Sequence, residues 1–215
     1  MKIKLLHSTP LHIADMAIGK CWNKGCMQTE EKAQERMDRV ANKNKHASTI
    51  EHLNYNFNID GISRACLQEL ARHRIASLSV KSSRYTLKEL KNEDAFVNEA
   101  LSRYILDDEM KQRAQKYVVL TEYEDVNASI VLGLECLRWC IVQGASNDFA
   151  KYTLPEAYKT SLIWSINARS LQNFLELRTN KAALWEIRKL ANEIYDKLPQ
   201  EHKFLFSEKI YKEEK

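Results

Sequence analysis

The stretch RHRIASLSVKSSRY, residues 72–85, carries three arginines, one histidine, one lysine and four serines within fourteen positions, and no acid. Solvated faces usually mix acids with bases, so an all-cationic run with interleaved hydroxyls suits an anion. A phosphate is held either by backbone N–H groups at a helix start or by a fork of cations. The chain has no GxGxxG and no GxxxxGK[ST], which closes the glycine-loop routes to nucleotides. The arginine route stays open through Arg72, Arg74 and Arg84, with Ser82 and Ser83 just before Arg84. The competing account is structural: Arg72, His73 and Arg74 are three bases in the last turn of a helix, where the macrodipole favours them.

A second constellation, INARSLQNFLELR at 166–178, combines Arg169 and Arg178 with Asn167 and Asn173. On a helix beginning near Arg169, Asn173 and Leu177 share a face. Amide side chains can meet both the donor and the acceptor edge of a flat heterocycle. Alternatively, Asn167 is a helix-start residue and Asn173 is solvated.

Other clusters carry less. Cys21 and Cys26, with Cys136 and Cys140, could be offered as zinc ligands. The last two lie one helical turn apart in an apolar stretch, as packed cysteines do, and no metal is expected. Ser48-x-x-Glu51 resembles a capping box, limited to one turn because alternation follows at once. Tyr55 and Phe57, at period two, read as core-facing aromatics more readily than as base-stacking ones.

These residues need elements to position them. KIKLL at 2–6 reads as a strand, and residues 28–43 as a polar helix. Leu53, Tyr55, Phe57 and Ile59 alternate as in a half-buried strand, which Gly61 is expected to break. Ser63 can then cap a helix through RACLQELARHR. A charged helix over 88–103, a long helix from about 107 to 142, a strand over 160–168 and helices over 170–178 and 182–198 complete the reading. Strands and helices do not alternate, which predicts an α+β fold dominated by helix with an antiparallel or mixed sheet.

With 215 residues, and only 5 Gly and 3 Pro, the chain has no obvious internal boundary, so one domain over 1–215 is expected. Its 33 bases nearly balance 29 acids, leaving a net charge of +4, so any anion site must come from local clustering. His7, His12 and Asp15 interrupt any signal-peptide core, and the apolar run at 130–142 is short and carries Glu135 and Arg138. Five cysteines, an odd number without repeated spacing, fit reduced thiols. The expectation is a cytoplasmic protein with no membrane partner.

The order Arg72-His73-Arg74, seven residues, Ser82, then Ser83-Arg84-Tyr85 resembles the signature of the flavin-dependent thymidylate synthases. EHLNYNFNIDGISRACLQELARHR looks like that family's strand-helix lead-in, and WSINARSLQNFLELR like its second signature. The resemblance implies a homotetramer of α+β subunits with active sites shared between subunits. It also implies conversion of dUMP to dTMP with FAD as cofactor, methylenetetrahydrofolate as carbon donor and NADPH as reductant. Carried onto this chain, Arg72, His73 and Arg74 match the flavin-binding triplet, with Arg72 also near dUMP. His46 and Ser48 match flavin contacts from a neighbouring subunit, and Asn167, Ala168, Arg169 and Asn173 a second flavin patch.

For dUMP, Ser82, Ser83 and Arg84 match the phosphate loop, Lys151 and Glu69 match further nucleotide contacts, and Arg178 matches the arginine credited with favouring ionisation at N3. The chain departs from the family in four places. Val80 replaces a polar residue, Lys151 an arginine, Ala182 a flavin-side histidine, and Glu69 a glutamine, with Gln68 adjacent. No cysteine lies in either signature, so activation of the uracil ring is expected to be electrostatic. The alternatives are a nucleic-acid-binding module, whose bases would contact a phosphate backbone, and an inactive member of the same fold.

Overall fold

The computed structural model describes residues 1–97 and 106–211. In chain order its main elements are β1 (Lys2–Ser8), α1 (His12–Cys21), α2 (Glu30–Met37), β2 (Asn54–Ser63), α3 (Arg64–Ala71), β3 (Ala76–Val80) and α4 (Ser83–Thr86). There follow α5 (Asp108–Ala114), α6 (Glu124–Val142), α7 (Asn147–Ala150), β4 (Lys159–Asn167), α8 (Ala168–Arg178) and α9 (Trp185–Lys197). The four strands form one sheet in the order β1-β2-β4-β3. β1 runs antiparallel to β2, with Ile3 opposite Ile59 and Leu5 opposite Phe57. The fold is α+β with helix dominating, as expected. By contacts, the chain parts into two compact units, one of residues 1–60, 69–79 and 162–215, the other of 61–68 and 80–161.

In the first unit, alternation along β2 buries Tyr55, Phe57 and Ile59 completely. β4 does the same with Leu162, Trp164 and Ile166. Phe174 of α8 meets Trp164 edge-on at 4.9 Å, and Ile187, Leu190 and Ile194 of α9 are fully buried. Fully burying a side chain of this kind contributes about 1.5–3 kcal/mol. Gly61 does not end β2. It takes φ +77°, the left-handed region open to glycine, and the strand continues to Ser63 with its alternation reset, so that Ile62 and Ser63 are both buried. The Ser63 hydroxyl then accepts from Cys66 N–H at 3.0 Å, the expected cap of α3.

The first unit also holds a buried ion pair. The Arg36 guanidinium donates through Nε to Asp15 Oδ1 at 2.8 Å and also reaches the carbonyls of Asp15 and Gly25. Asp15 Oδ2 accepts from Met27 N–H at 2.9 Å. One carboxylate thus ties α1 to α2 and to the loop between them. α2 starts at Glu30, where the Thr29 hydroxyl accepts from Lys32 N–H, and widens into a π turn over Asp38–Lys43, so helical backbone spans most of the expected 28–43.

The second unit packs Leu87, Leu90, Phe96, Val118, Val131, Leu134, Leu137 and Tyr158 into its own core. The helix expected from 107 to 142 is two helices, α5 and α6. Between them Val119 N–H donates to the Ala157 carbonyl at 2.8 Å and Lys159 N–H to the Tyr117 carbonyl at 2.7 Å. The Asn127 side chain accepts from Thr121 N–H and donates to its carbonyl. Pairing of this β-branched stretch outweighs its helical register. Of the helix expected over 88–103, residues 87–92 form a 3-10 turn and 98–105 lie outside the described residues. Cys136, expected to be packed, is exposed on α6.

Truncating one partner of a buried ion pair leaves the other charge stranded, at a cost of about 3–5 kcal/mol. Arg36→Met should lower the free energy of unfolding by that amount in urea titrations. A loss below about 1 kcal/mol would mean that the pair does not hold α1, α2 and their loop together.

Candidate functional site

The first unit opens into a cleft of about 1140 Å³, lined from α3 and the turn after it by Glu69, Arg72, His73, Arg74 and Ile75, and from α8 by Asn167, Arg169, Asn173, Leu177 and Arg178. The two constellations read from the sequence converge here. α3 ends at Ala71, so the triplet follows the helix instead of forming its last turn. His73 N–H still donates to the Leu70 carbonyl at 3.1 Å, and this turn directs the three side chains alternately. Arg72 and Arg74 are exposed, and His73 is buried with its ring edge-on to Phe174 at 5.0 Å. The hydrophobic core thus sets the position of the middle residue, and the outer two project into the cleft.

α8 is positioned just as directly. Asn167 is its N-cap, its Oδ1 accepting from Ser170 N–H at 2.9 Å. That leaves the Asn167 amide nitrogen for a ligand, so the structural and the binding roles of this residue coexist. Leu171, Phe174 and Leu175 face the core, and Asn173 and Leu177 share the cleft face. Ala168 does not line the cleft: it is fully buried and its N–H is spent on the Leu53 carbonyl at 2.8 Å.

At the far end of α8, Arg178 has three partners. Its Nε donates to His73 Nε2 at 3.0 Å, one terminal nitrogen to Glu69 Oε2 at 2.7 Å, and the other to the Glu69 carbonyl at 3.3 Å. That carbonyl belongs to the last turn of α3, where the helix offers no partner of its own. Because arginine only donates, His73 Nε2 must be the bare, accepting nitrogen. Burial pushes the His73 imidazole down to about 4 from its usual 6.5, the charges of Arg178 and Arg72 push the same way, and Glu69 opposes them. Glu69 is the member of the Gln68–Glu69 pair that faces Arg178; Gln68 donates to both carboxylate oxygens of Glu156 at 2.9 Å.

The carboxylates of the cleft are all engaged. Glu51 takes Arg169 at 2.7 Å, Glu69 takes Arg178, and Glu176 takes Lys209 at 3.3 Å. Arg72 and Arg74 have no carboxylate partner among the described residues, so the cleft presents two uncompensated cations. Glu51 was read in the sequence only as part of a capping box and Glu176 not at all, because nothing there marks a carboxylate that will meet a base 118 or 33 positions away.

Several expected residues lie elsewhere. His46 and Ser48 are exposed at the 3-10 turn Ala47–His52 and are not among the residues lining the cleft, although Glu51 of the same turn is. That turn has no side-chain cap, so the Ser48–Glu51 box does not form. Ser82, Ser83, Arg84 and Lys151 belong to the second unit. There Arg84 pairs with Asp148 at 2.7 Å and lines an open pocket of about 570 Å³ with Tyr85, Lys88 and Asn147. Ala182 lines the first-unit cleft, leaving open the space that a larger side chain would take.

Known proteins are similar to this chain over nearly its whole length. The family described as thymidylate synthase complementing protein matches residues 4–202. The chain is 56% identical over 208 residues to the flavin-dependent thymidylate synthase of Wolinella succinogenes, covering 96% of this chain and 97% of that one. It is 53% identical over 216 residues to that of Campylobacter jejuni strain RM1221, covering 99% of each. Among solved structures, thymidylate synthase X from Helicobacter pylori with FAD and dUMP superposes with a TM-score of 0.91 at 47% identity, covering 99% of this chain and 100% of that one.

The His73 ring gives a direct check on the geometry. Its proton should come on near pH 4, read from ring resonances in NMR, and a midpoint at the ordinary 6.5 would contradict the buried, Arg178-bonded imidazole. The unfolded chain protonates this ring near 6.5 and the folded chain only near 4. Its contribution to stability is therefore complete above pH 6.5 and declines as pH falls toward 4.

Proposed function

This chain belongs to the flavin-dependent thymidylate synthase family, and we propose that it converts dUMP to dTMP reductively, with methylenetetrahydrofolate as carbon donor and NADPH as reductant. FAD is its cofactor. The observation that carries the reading is the convergence, in one cleft, of two uncompensated arginines, a pair of amides and an arginine aimed by three fixed partners.

The lining residues fit the flavin. A cleft of about 1140 Å³ is at or above the usual range for small-molecule sites and can take a dinucleotide. Arg72 and Arg74 supply the charge a pyrophosphate requires. Asn167 and Asn173 offer amides to a heterocycle, and Ile75 and Leu177, 73% and 54% exposed, offer apolar surface to a ring. Arg169 joins them if a ligand draws it from its exposed pair with Glu51. When bound, FAD supplies the hydride for reduction. His46 and Ser48, exposed and away from this cleft, are assigned to the flavin of a neighbouring copy in a homotetramer with shared sites, in which 1–215 acts as one domain.

For the nucleotide, Ser82, Ser83 and Arg84 bind the phosphate of dUMP, Arg84 exchanging Asp148 for the dianion, with Lys151 as a further cation. The remaining problem is C5 of uracil, which is unreactive unless the ring becomes electron-rich. No thiol is among the residues lining the cleft, so no cysteine there can add to C6. Arg178 solves the problem by charge. A permanently ionised guanidinium beside O2 and N3 stabilises the anion left when N3 loses its proton, and its low exposure, 16%, strengthens that effect. A nucleic-acid module would spread its cations along a face, and here they converge in a concavity. Reduced thiols and the absence of any helix long and apolar enough to cross a membrane, among the described residues, suit a cytoplasmic enzyme.

Tritium release from C5-labelled dUMP, supplied with FAD, NADPH and methylenetetrahydrofolate, tests the activity, and no release above background would remove it. Arg178→Ala should lower turnover by about 10²–10³-fold while the protein keeps its flavin colour. The double variant Arg72→Ala, Arg74→Ala should instead purify colourless. A yellow double variant would show that the flavin is held elsewhere.

A further inference from the structure

Past α9 the chain returns to α8 through two 3-10 turns, Gln200–Leu205 and Ser207–Lys209. The first turn is bolted to the core. His202 is buried with Nδ1 2.8 Å from the Tyr55 hydroxyl, and Phe206 is fully buried, edge-on to Tyr55 at 5.8 Å. The Gln172 amide of α8 donates to the Leu205 carbonyl at 2.6 Å, and the Asn42 amide to the Phe204 carbonyl at 3.3 Å. Further on, the segment meets the end of α8, where Tyr211 N–H donates to the Thr179 hydroxyl at 2.9 Å. Thr179 directly follows Arg178 and is buried, its hydroxyl donating to the Leu175 carbonyl at 2.7 Å.

Between these two fixings stands Lys209, its N–H bonded to the Phe206 carbonyl at 2.9 Å. Its ammonium reaches both oxygens of Glu176, at 3.3 and 3.5 Å. Glu176 lines the cleft and Lys209 does not. A bare carboxylate at this place would repel an anionic ligand, because a concave wall focuses the field of the charges that line it. The pair is open to water, with Lys209 32% and Glu176 59% exposed, so it adds little to folding. What it changes is the charge seen from inside the cleft. Residues 203–211 also lie beyond the span 4–202 matched by the family, so Lys209 is outside that pattern.

Resting on the assignment of this cleft to FAD, we propose that Lys209 is a determinant of flavin affinity that acts from outside the site: the segment after α9 straps it against α8, where it cancels the charge of Glu176 that would otherwise face the cofactor's pyrophosphate. Lys209 does not touch the flavin, and it takes no part in the chemistry. Its effect is a Coulombic one between exposed groups, so it is modest and falls with salt. The strap supplies what an ordinary surface lysine lacks, a backbone fixed on both sides of the charge.

The test dilutes the flavin-loaded protein and follows release by the rise of free-flavin fluorescence, which gives Kd for FAD. At about 0.01 M salt, Lys209→Gln should raise that Kd by about 2–5-fold, and the difference should vanish toward about 1 M. Lys209→Arg, which keeps the charge, should bind as the wild type does. Glu176→Gln should bind FAD at least as tightly as the wild type, and adding Lys209→Gln to it should restore the wild-type Kd, since no carboxylate is then left to cancel. With FAD saturating, turnover of Lys209→Gln should equal that of the wild type. A merely structural role for Lys209 would give a loss that salt does not remove and that Glu176→Gln does not rescue, and either result overturns the proposal. So does a Lys209→Gln protein with an unchanged Kd at low salt. If the wild-type chain binds no flavin at all, the assignment of the cleft to FAD fails and the proposal goes with it. A wild type that binds flavin but ignores both substitutions removes the proposal alone.

Discussion

The site depends on one guanidinium being held still. Arg178 stands in the last turn of α8, and the groups that hold it, Glu69 and His73, lie 109 and 105 positions earlier in the chain. Two of the three bonds join the C-terminal turns of α3 and α8, where unpaired carbonyls and the negative ends of the helix dipoles favour a cation, and the third reaches His73 in the turn after α3. One side chain thus closes the end of α3 and supplies the charge on which the proposed chemistry rests. The arrangement works only with a neutral His73, and burial against Phe174 keeps that ring neutral.

A second constraint is charge balance at short range. The chain as a whole is only mildly basic, so its global field cannot select an anion. The cleft achieves selection by pairing each of its carboxylates internally and leaving Arg72 and Arg74 unpaired. These arginines are exposed because their neighbour His73 is buried: the turn after α3 alternates its side chains, and the core claims the middle one. The Arg84–Asp148 pair in the second unit follows a different logic. It is well exposed, so it contributes little to stability and a phosphate can displace it at low cost.

Much of this was legible in the sequence where the signal is local. Period-two alternation announced β2, an apolar, β-branched run announced β4, Ser63 announced the start of α3, and the spacing of Asn173 and Leu177 put both on one face of α8. The residues that converge were largely the ones picked out by type: Arg72, His73, Arg74, Asn167, Arg169, Asn173 and Arg178. What stayed hidden depends on partners far along the chain. Glu51 and Glu176 look like ordinary surface acids until Arg169 and Lys209 arrive. The break at 115–123 in the expected long helix comes from pairing with 157–159, and the continuation of β2 past Gly61 comes from a positive φ that a strand can absorb. Ala168 shows the converse, since a matching position in a signature turned out to face the core.

The central claim is that Arg178, held by Glu69 and His73, makes the uracil ring reactive by charge. It is tested most directly by following the N3 proton of [3-15N]dUMP bound to the flavin-loaded protein across a pH series, in the wild type and in Arg178→Lys. The account predicts that N3 ionises about two pH units or more below free dUMP in the wild type, and that most of this difference is lost with lysine, which keeps the charge but not the three-point hold. An N3 that ionises on the wild-type protein at the same pH as in water would contradict it.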